Sequence, residues 1–256
     1  MSDWKEVEEA RDLPGLRLVL TEGVPGPWGE AAKGVFRSKG IPFVKVRQKP
    51  GQDNDALFAW TGHRNAPVAV YGDETPRTGW WEILLLAERL APEPALIPAD
   101  PEDRLRFLGL AHELMSENGF GWCRRLMLFQ HSIGGAEELP EKLRPVFGRM
   151  FAQYGYSADA ARRAPARLAQ ILDLVTAQHR RQQERGHAYL MGPELGALDV
   201  YWAAMAALIA PLPPEQCAMS AGMRDAYGAN APTVDPALLA HRDRIYEKHL
   251  GLPIDL

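Results

Sequence analysis

The apolar residues of this chain follow two periods, and the change from one to the other falls near residue 100. "LRLVLTEG" (16 to 23) alternates weakly and stops at Gly23, as a short strand does. "GEAAKGVFRSKG" (29 to 40) then carries the spacing of a helix, with Gly40 where a terminal cap belongs. "IPFVKVRQKPG" predicts a second strand and "APVAVYGDE" a third that ends in a Gly-Asp turn, before the helix "GWWEILLLAERLAP" closes at Pro92. The order βαβ, strand, helix predicts a mixed sheet of four strands or fewer over residues 16 to 91.

Strand signals cease at "IPADPEDR", where Pro98 and Pro101 punctuate a connection. Two domains are expected: an α/β domain at 1–92 and an all-α, bundle-like domain at 101–256 with no strand up to residue 249. Leu105, Leu108, His112 and Met115 share one face of the helix that starts near Pro101, while Phe107, Leu110 and Leu114 share another, so this helix is expected to be buried on two sides. Further helices are predicted at 140–154, 160–185, 197–209 and 235–249, and the stretches "APLPPEQCAMS" and "AYGANAPTVDP" as ordered loops.

Composition narrows the partners. The 256 residues are 46% hydrophobic, enough for a substantial core. With 29 basic against 33 acidic residues, a net charge of −4 and no block of like charge, nucleic-acid binding is not expected. Cys123 and Cys217 lie far apart and outside any CxxC spacing, which argues against a disulfide framework or a metal site. "MSDWKEVEEARDLPG" lacks an apolar export core and "YWAAMAALIA" is too short to span a bilayer, so no membrane association and a cytoplasmic location are expected.

Four segments in order resemble the glutathione transferase superfamily. "GPWGEAAKGVFRSKGIP" is similar to its active-site turn, first helix and second strand, and "NAPVAVYGD" to the segment holding its cis-proline. "TGWWEILLLAERLAP" is similar to the helix that follows, and "YLMGPELGALDVYWAA" to a capped central helix of its second domain, with Leu195 as hydrophobic staple, Gly196 as cap and Asp199 as reciprocal carboxylate. The resemblance implies a thioredoxin-like first domain, a helical second domain, glutathione as cosubstrate and a symmetric homodimer. It also implies conjugation or cleavage of a thioether on a small apolar electrophile; the competing reading is a non-catalytic ligand-binding or interaction protein on the same scaffold. A peroxidase or reductase of the cysteine type is disfavoured, since the first domain has no cysteine.

Gly26 stands where the family carries a reactive Ser or Cys, and Thr78-Gly79 where it carries Glu-Ser. Two readings of Gly26 stay open: loss of the catalytic group, or activation of the thiol by backbone N–H groups of the helix that begins near Trp28. Thr21, a hydroxyl at the strand end, is the candidate donor to the sulfur, and Glu22 reads as a surface carboxylate. Candidate ligand-binding residues are Gly26, His63, Arg64, Asn65, Ala66, Pro67, Arg77 and Thr78. Among these, Ala66-Pro67 is expected to be cis with its backbone open to strand-like pairing, Thr78 to cap the next helix, and Arg77 to add a charge-assisted bond. His112, Met115 and Trp122 are the expected wall of the substrate pocket, Arg124-Arg125 a solvated helix face, and Trp80 and Trp81 packing between the domains.

Overall fold

The computed structural model describes residues 4 to 256. After a single-turn helix α1 (Val7–Ala10), strand β1 (Leu16–Thr21) runs through the middle of a three-stranded sheet, parallel to β2 (Phe43–Gln48) and antiparallel to β3 (Val68–Tyr71). The expected mixed sheet is present. A central strand has both faces covered, which is why β1 reads "LRLVLT" with only its last residue less than fully buried. Leu16, Leu18 and Leu20 join the large core shared with the helical half, whereas Val19 joins Val46, Leu57, Val68 and Val70 in a second, smaller core on the opposite face.

Helix α2 (Pro27–Ser38) links β1 to β2, and α4 (Trp80–Leu90) follows β3. Between β2 and β3 the chain inserts α3 (Asp55–Thr61), which the sequence pattern did not predict. Seven residues give too few turns for a readable apolar stripe, and the helix is set by its flanks: Asn54 takes a left-handed φ of 51° and its side chain closes onto Lys49 and Gln52.

Beyond Pro101 the described residues contain no strand; an isolated bridge between Tyr189 and Gly192 only closes a turn. The helices are α5 (Pro101–Met115), α6 (Phe120–Ser132), α7 (Arg144–Gln153), α8 (Ala158–Glu184), α9 (Ala197–Ala206), α10 (Ala221–Gly228) and α11 (Pro236–Ile245). Helix α10, which was not expected, overlaps the first three residues of the expected loop "AYGANAPTVDP" and is nucleated by the Ser220 hydroxyl, which accepts from the Met223 amide. The expected two-sided burial of α5 is also corrected: Leu105 is 72% exposed, and the buried residues are Phe107, Ala111, Leu114 and Met115. Trp80 does pack between the halves, donating to Ser116 Oγ at 2.9 Å with its ring 5.6 Å from that of Tyr201, and Trp81 lies against both Trp80 and Arg104. No described helix is long and apolar enough to cross a membrane.

Asp199, fully buried in α9, organises the second domain. One carboxylate oxygen accepts from the Gly196 amide at 3.0 Å, the carboxylate half of the expected capping box, since Gly196 has no side chain to return the bond, and the other accepts from the Leu190 amide at 2.8 Å and from His241 Nε2 at 2.7 Å. Arg244 can only donate, and it faces His241 Nδ1 at 2.7 Å, so the histidine proton sits on Nε2 and points at Asp199. Replacing Asp199 by Ala strands two buried amides and the imidazole. We expect D199A to cost about 3 to 5 kcal/mol and to lower Tm by on the order of 10 °C in calorimetry; a shift of under about 2 °C would show that this network does not hold the domain.

Candidate functional site

At the strand end, the chain turns through Gly23 (φ 69°) and Pro25 into α2, whose N-cap is Gly26. No side chain caps this helix. Pro27, at the first helical position, has no N–H, so the amides of Trp28 and Gly29 are the open donors at the positive end of the helix dipole. An added Cβ at Gly26 would meet nothing within 4 Å. The glycine therefore leaves space instead of relieving a clash.

That space is one end of a cleft of about 920 Å³ between the two halves of the molecule, within the range of small-molecule sites. Its first-domain wall includes Leu20, Thr21, Gly26, Trp28, Glu30, Gln48 and the segment Arg64 to Ala66. The backbone N–H and C=O of Ala66 have no partner among the described residues, and the Ala66-Pro67 bond is cis, as expected.

Electrostatics around the turn favour an anion. Glu30 lies in the first turn of α2, where its charge would repel a thiolate, but Lys33 pairs with it at 2.8 Å. Burial pushes the Glu30 carboxyl up and Lys33 opposes that shift. The Lys33 ammonium also donates to the Asp255 carbonyl at 2.7 Å, tying α2 to the last turn of the chain.

The other expected residues divide. Thr21 lines the cleft, but its hydroxyl donates to Gln48 Oε1 at 2.8 Å; it faces the site with a lone pair and not with the proton expected of a donor to sulfur. Glu22 is ion-paired with Arg47 at 2.6 Å. Arg64 is held by Asp55 at 2.6 Å and lies 4.4 Å over the Phe58 ring, and Asn65 donates across to Gln153 at 2.9 Å. His63 is exposed and outside the cleft. Arg77 pairs with Glu74 at 2.6 Å while its backbone bridges to Ala69, so it offers no free charge to a ligand. Thr78 does not cap α4, because Gly79 is the N-cap and Glu82 folds back onto its amide at 3.2 Å.

Pro67, Thr78 and Met115 instead line a seam of about 10 Å³ behind Trp28, space for about one water. The expected pocket wall is likewise displaced. His112 is exposed, Met115 is core, and Trp122 donates to the Tyr154 carbonyl at 3.1 Å from behind the cleft. The second-domain wall comes from α6, α7 and α10, including Arg125, Leu128, Phe129, Phe147, Tyr154 and Tyr227. One signal in the sequence could have found it: Arg125, Leu128, Phe129 and Ser132 sit at i, i+3, i+4 and i+7, a stripe with a single cation. The expected wall residues lie instead on two helices, because the chain breaks between α5 and α6 at Asn118, with φ 59°.

No family model matches this chain, and no curated protein matches it. Solved structures do match over nearly its whole length. A glutathione S-transferase from Methylobacterium radiotolerans, in complex with glutathione sulfonate, aligns with a TM-score of 0.60 and 16% identity, covering 92% of both chains. The glutathione transferase Omega 3C of Trametes versicolor aligns at 0.58 and 15%, covering 95% of this chain and 90% of its own. The beta-etherase of Sphingobium sp. strain SYK-6 aligns at 0.56 and 17%, covering 90% of this chain and 99% of its own. The chain has the glutathione transferase fold, as the four motifs implied.

The turn itself supplies a test. In Gly26→Cys the new thiol has room and sits at a helix N-terminus, which lowers thiol pKa. Cys123 is buried, which pushes its thiol up to about 11, and Cys217 is buried and raised as well. Titration with a disulfide reagent at pH 7 is expected to find one fast thiol in G26C and none in the native chain. Slow reaction in G26C would show that the helix start does not stabilise an anion.

Proposed function

We propose that this chain binds glutathione in the cleft and uses the Trp28 and Gly29 amides to hold its sulfur as thiolate, for conjugation to, or release from, a small apolar electrophile. The observation that carries this reading is the capless start of α2, which turns two open N–H groups toward the same cleft as the unpaired backbone of Ala66. Ala66 pairs with the peptide of the ligand as an added strand would. The thiolate attacks the electrophilic carbon, a C–S bond forms and the leaving group departs with the electron pair; in the release direction a second thiolate attacks the thioether sulfur, an S–S bond forms, and the carbon leaves with the C–S electron pair and takes up a proton. Glu30, neutralised by Lys33, leaves the developing charge unopposed.

One observation favours the second reading, a binding protein without thiol chemistry. The carboxylate clamp that the family's Glu-Ser pair provides has no counterpart here, since Arg77 is engaged by Glu74 and Gly79 has no hydroxyl. Calorimetry separates the two. Glutathione is expected to bind below about 1 mM, and the thiolate absorbance of the bound ligand to titrate about one unit below its solution value. No heat at millimolar glutathione would overturn the enzyme reading; binding with an unshifted thiol would leave the binding protein.

The proposal includes a symmetric homodimer in a reducing, cytoplasmic setting where Cys123 and Cys217 stay thiols. It is supported by apolar side chains left outside the core on adjacent helices, Leu85 at 41% and Leu105 at 72% exposure. Light scattering at micromolar concentration should give twice the 28.4 kDa chain mass; a monomer would remove this part of the proposal.

A further inference from the structure

The cations that line the cleft are Lys33, Arg64, Arg125 and Arg149. Three have carboxylate partners: Lys33 has Glu30 at 2.8 Å, Arg64 has Asp55 at 2.6 Å, and Arg149 has Asp53. Arg125 has none within salt-bridge distance among the described residues, and its buried Nε has no hydrogen-bond partner. The contrast with its neighbour is sharp. Arg124 is 1% exposed and donates to the Leu208, Tyr227 and Ala229 carbonyls at 2.9, 2.8 and 2.7 Å, which makes it a structural tie between α6 and the segments around α10. Neither arginine is the solvated helix face expected from the sequence.

Two phenols face Arg125. Its guanidinium lies 5.8 Å from the centre of the Tyr227 ring, and the hydroxyls of Tyr154 and Tyr227 interact with it. Burial raises Tyr154 above the usual phenol value, so this group stays neutral and does not balance the charge. An arginine has donors alone, so each phenol oxygen meets it with a lone pair and keeps its proton for a third group. A cation in an apolar-walled cavity with two hydroxyl donors beside it is costly when unpaired and specific when paired. The walls around it are rings: Phe129 lies 5.5 Å and Trp28 6.1 Å from Tyr154.

Resting on the reading of this cleft as the electrophile site, we infer that the second ligand is an aromatic carboxylate, its ring among Phe129, Tyr154 and Trp28 and its carboxylate on Arg125. The planar guanidinium matches two carboxylate oxygens, and the Tyr154 and Tyr227 hydroxyls donate to the same group. This replaces the uncharged apolar electrophile that the resemblance implied with an acidic one.

The test uses the full chain and matched probes, naphthalene-1-carboxylate and its neutral carboxamide, each titrated calorimetrically beside glutathione. In the native protein the acid is expected to bind at least about tenfold more tightly than the amide, the effect of a charge-assisted bond. Arg125→Leu should reduce that preference to about twofold or less while glutathione affinity stays within about twofold. Equal affinities in the native protein, binding of neither probe, a preference that survives R125L, or a loss of glutathione affinity in place of the preference would each overturn the inference. Should R125L fail to fold, Tyr227→Phe is expected to weaken the preference with the fold kept, and an unchanged preference there would overturn the inference. If glutathione does not bind but the preference appears and depends on Arg125, the transferase reading falls and the carboxylate site stands.

Discussion

Trp28 fixes where this protein can do chemistry. Its indole Nε1 donates to the Met115 carbonyl at 2.8 Å, so the first turn of α2 is tied to the C-terminal end of α5. The ring fits because Gly121 has no side chain; a Cβ there would stand 2.8 Å from the indole and 2.9 Å from Met205 Sδ. Farther along α2, Gly34 permits the same closeness, since a Cβ would lie 2.7 Å from Val200 of α9. These two approaches allow one continuous core, from Leu18 and Phe36 to Phe107 and Trp202, to pass under both domains. They also leave Pro67 and Thr78 in a closed seam and Gly26 in an open cleft.

The resulting site is chemically economical. A side chain at Gly26 would present one acceptor or nucleophile, whereas the capless helix presents open backbone donors whose position is set by Trp28 and whose field is set by the helix dipole. Backbone amides cannot swing away, so their hydrogen bonds to an anion carry little ordering cost. The cations that line the cleft are paired in place, apart from Arg125. Its charge is therefore the feature most able to choose between occupants.

Much of this was legible in the sequence because it is local. Strand β1 and the Gly40 turn follow from spacing and residue type within a few positions, while the Asp199 cap and the cis bond before Pro67 were implied by the resemblance of short local motifs. What was not legible depends on distant packing. The expected pocket residues His112, Met115 and Trp122 sit on two helices broken at Asn118, and only the fold shows that α6 turns Arg125, not Trp122, toward the cleft. Thr21 is a free hydroxyl on paper; Gln48, 27 residues away, takes it up. Arg125 reads as a surface cation until Tyr154 and Tyr227 are brought around it.

The central claim is that the opening turn of α2 binds the thiol of glutathione through its backbone. An amide-resolved spectrum of ¹⁵N-labelled protein reads those groups one by one as glutathione is added. The account predicts that the Trp28 and Gly29 amides shift strongly, together with Ala66, because each gains a hydrogen-bond partner it lacks in the free chain. Saturable shifts elsewhere in the cleft with those three amides unmoved would contradict it.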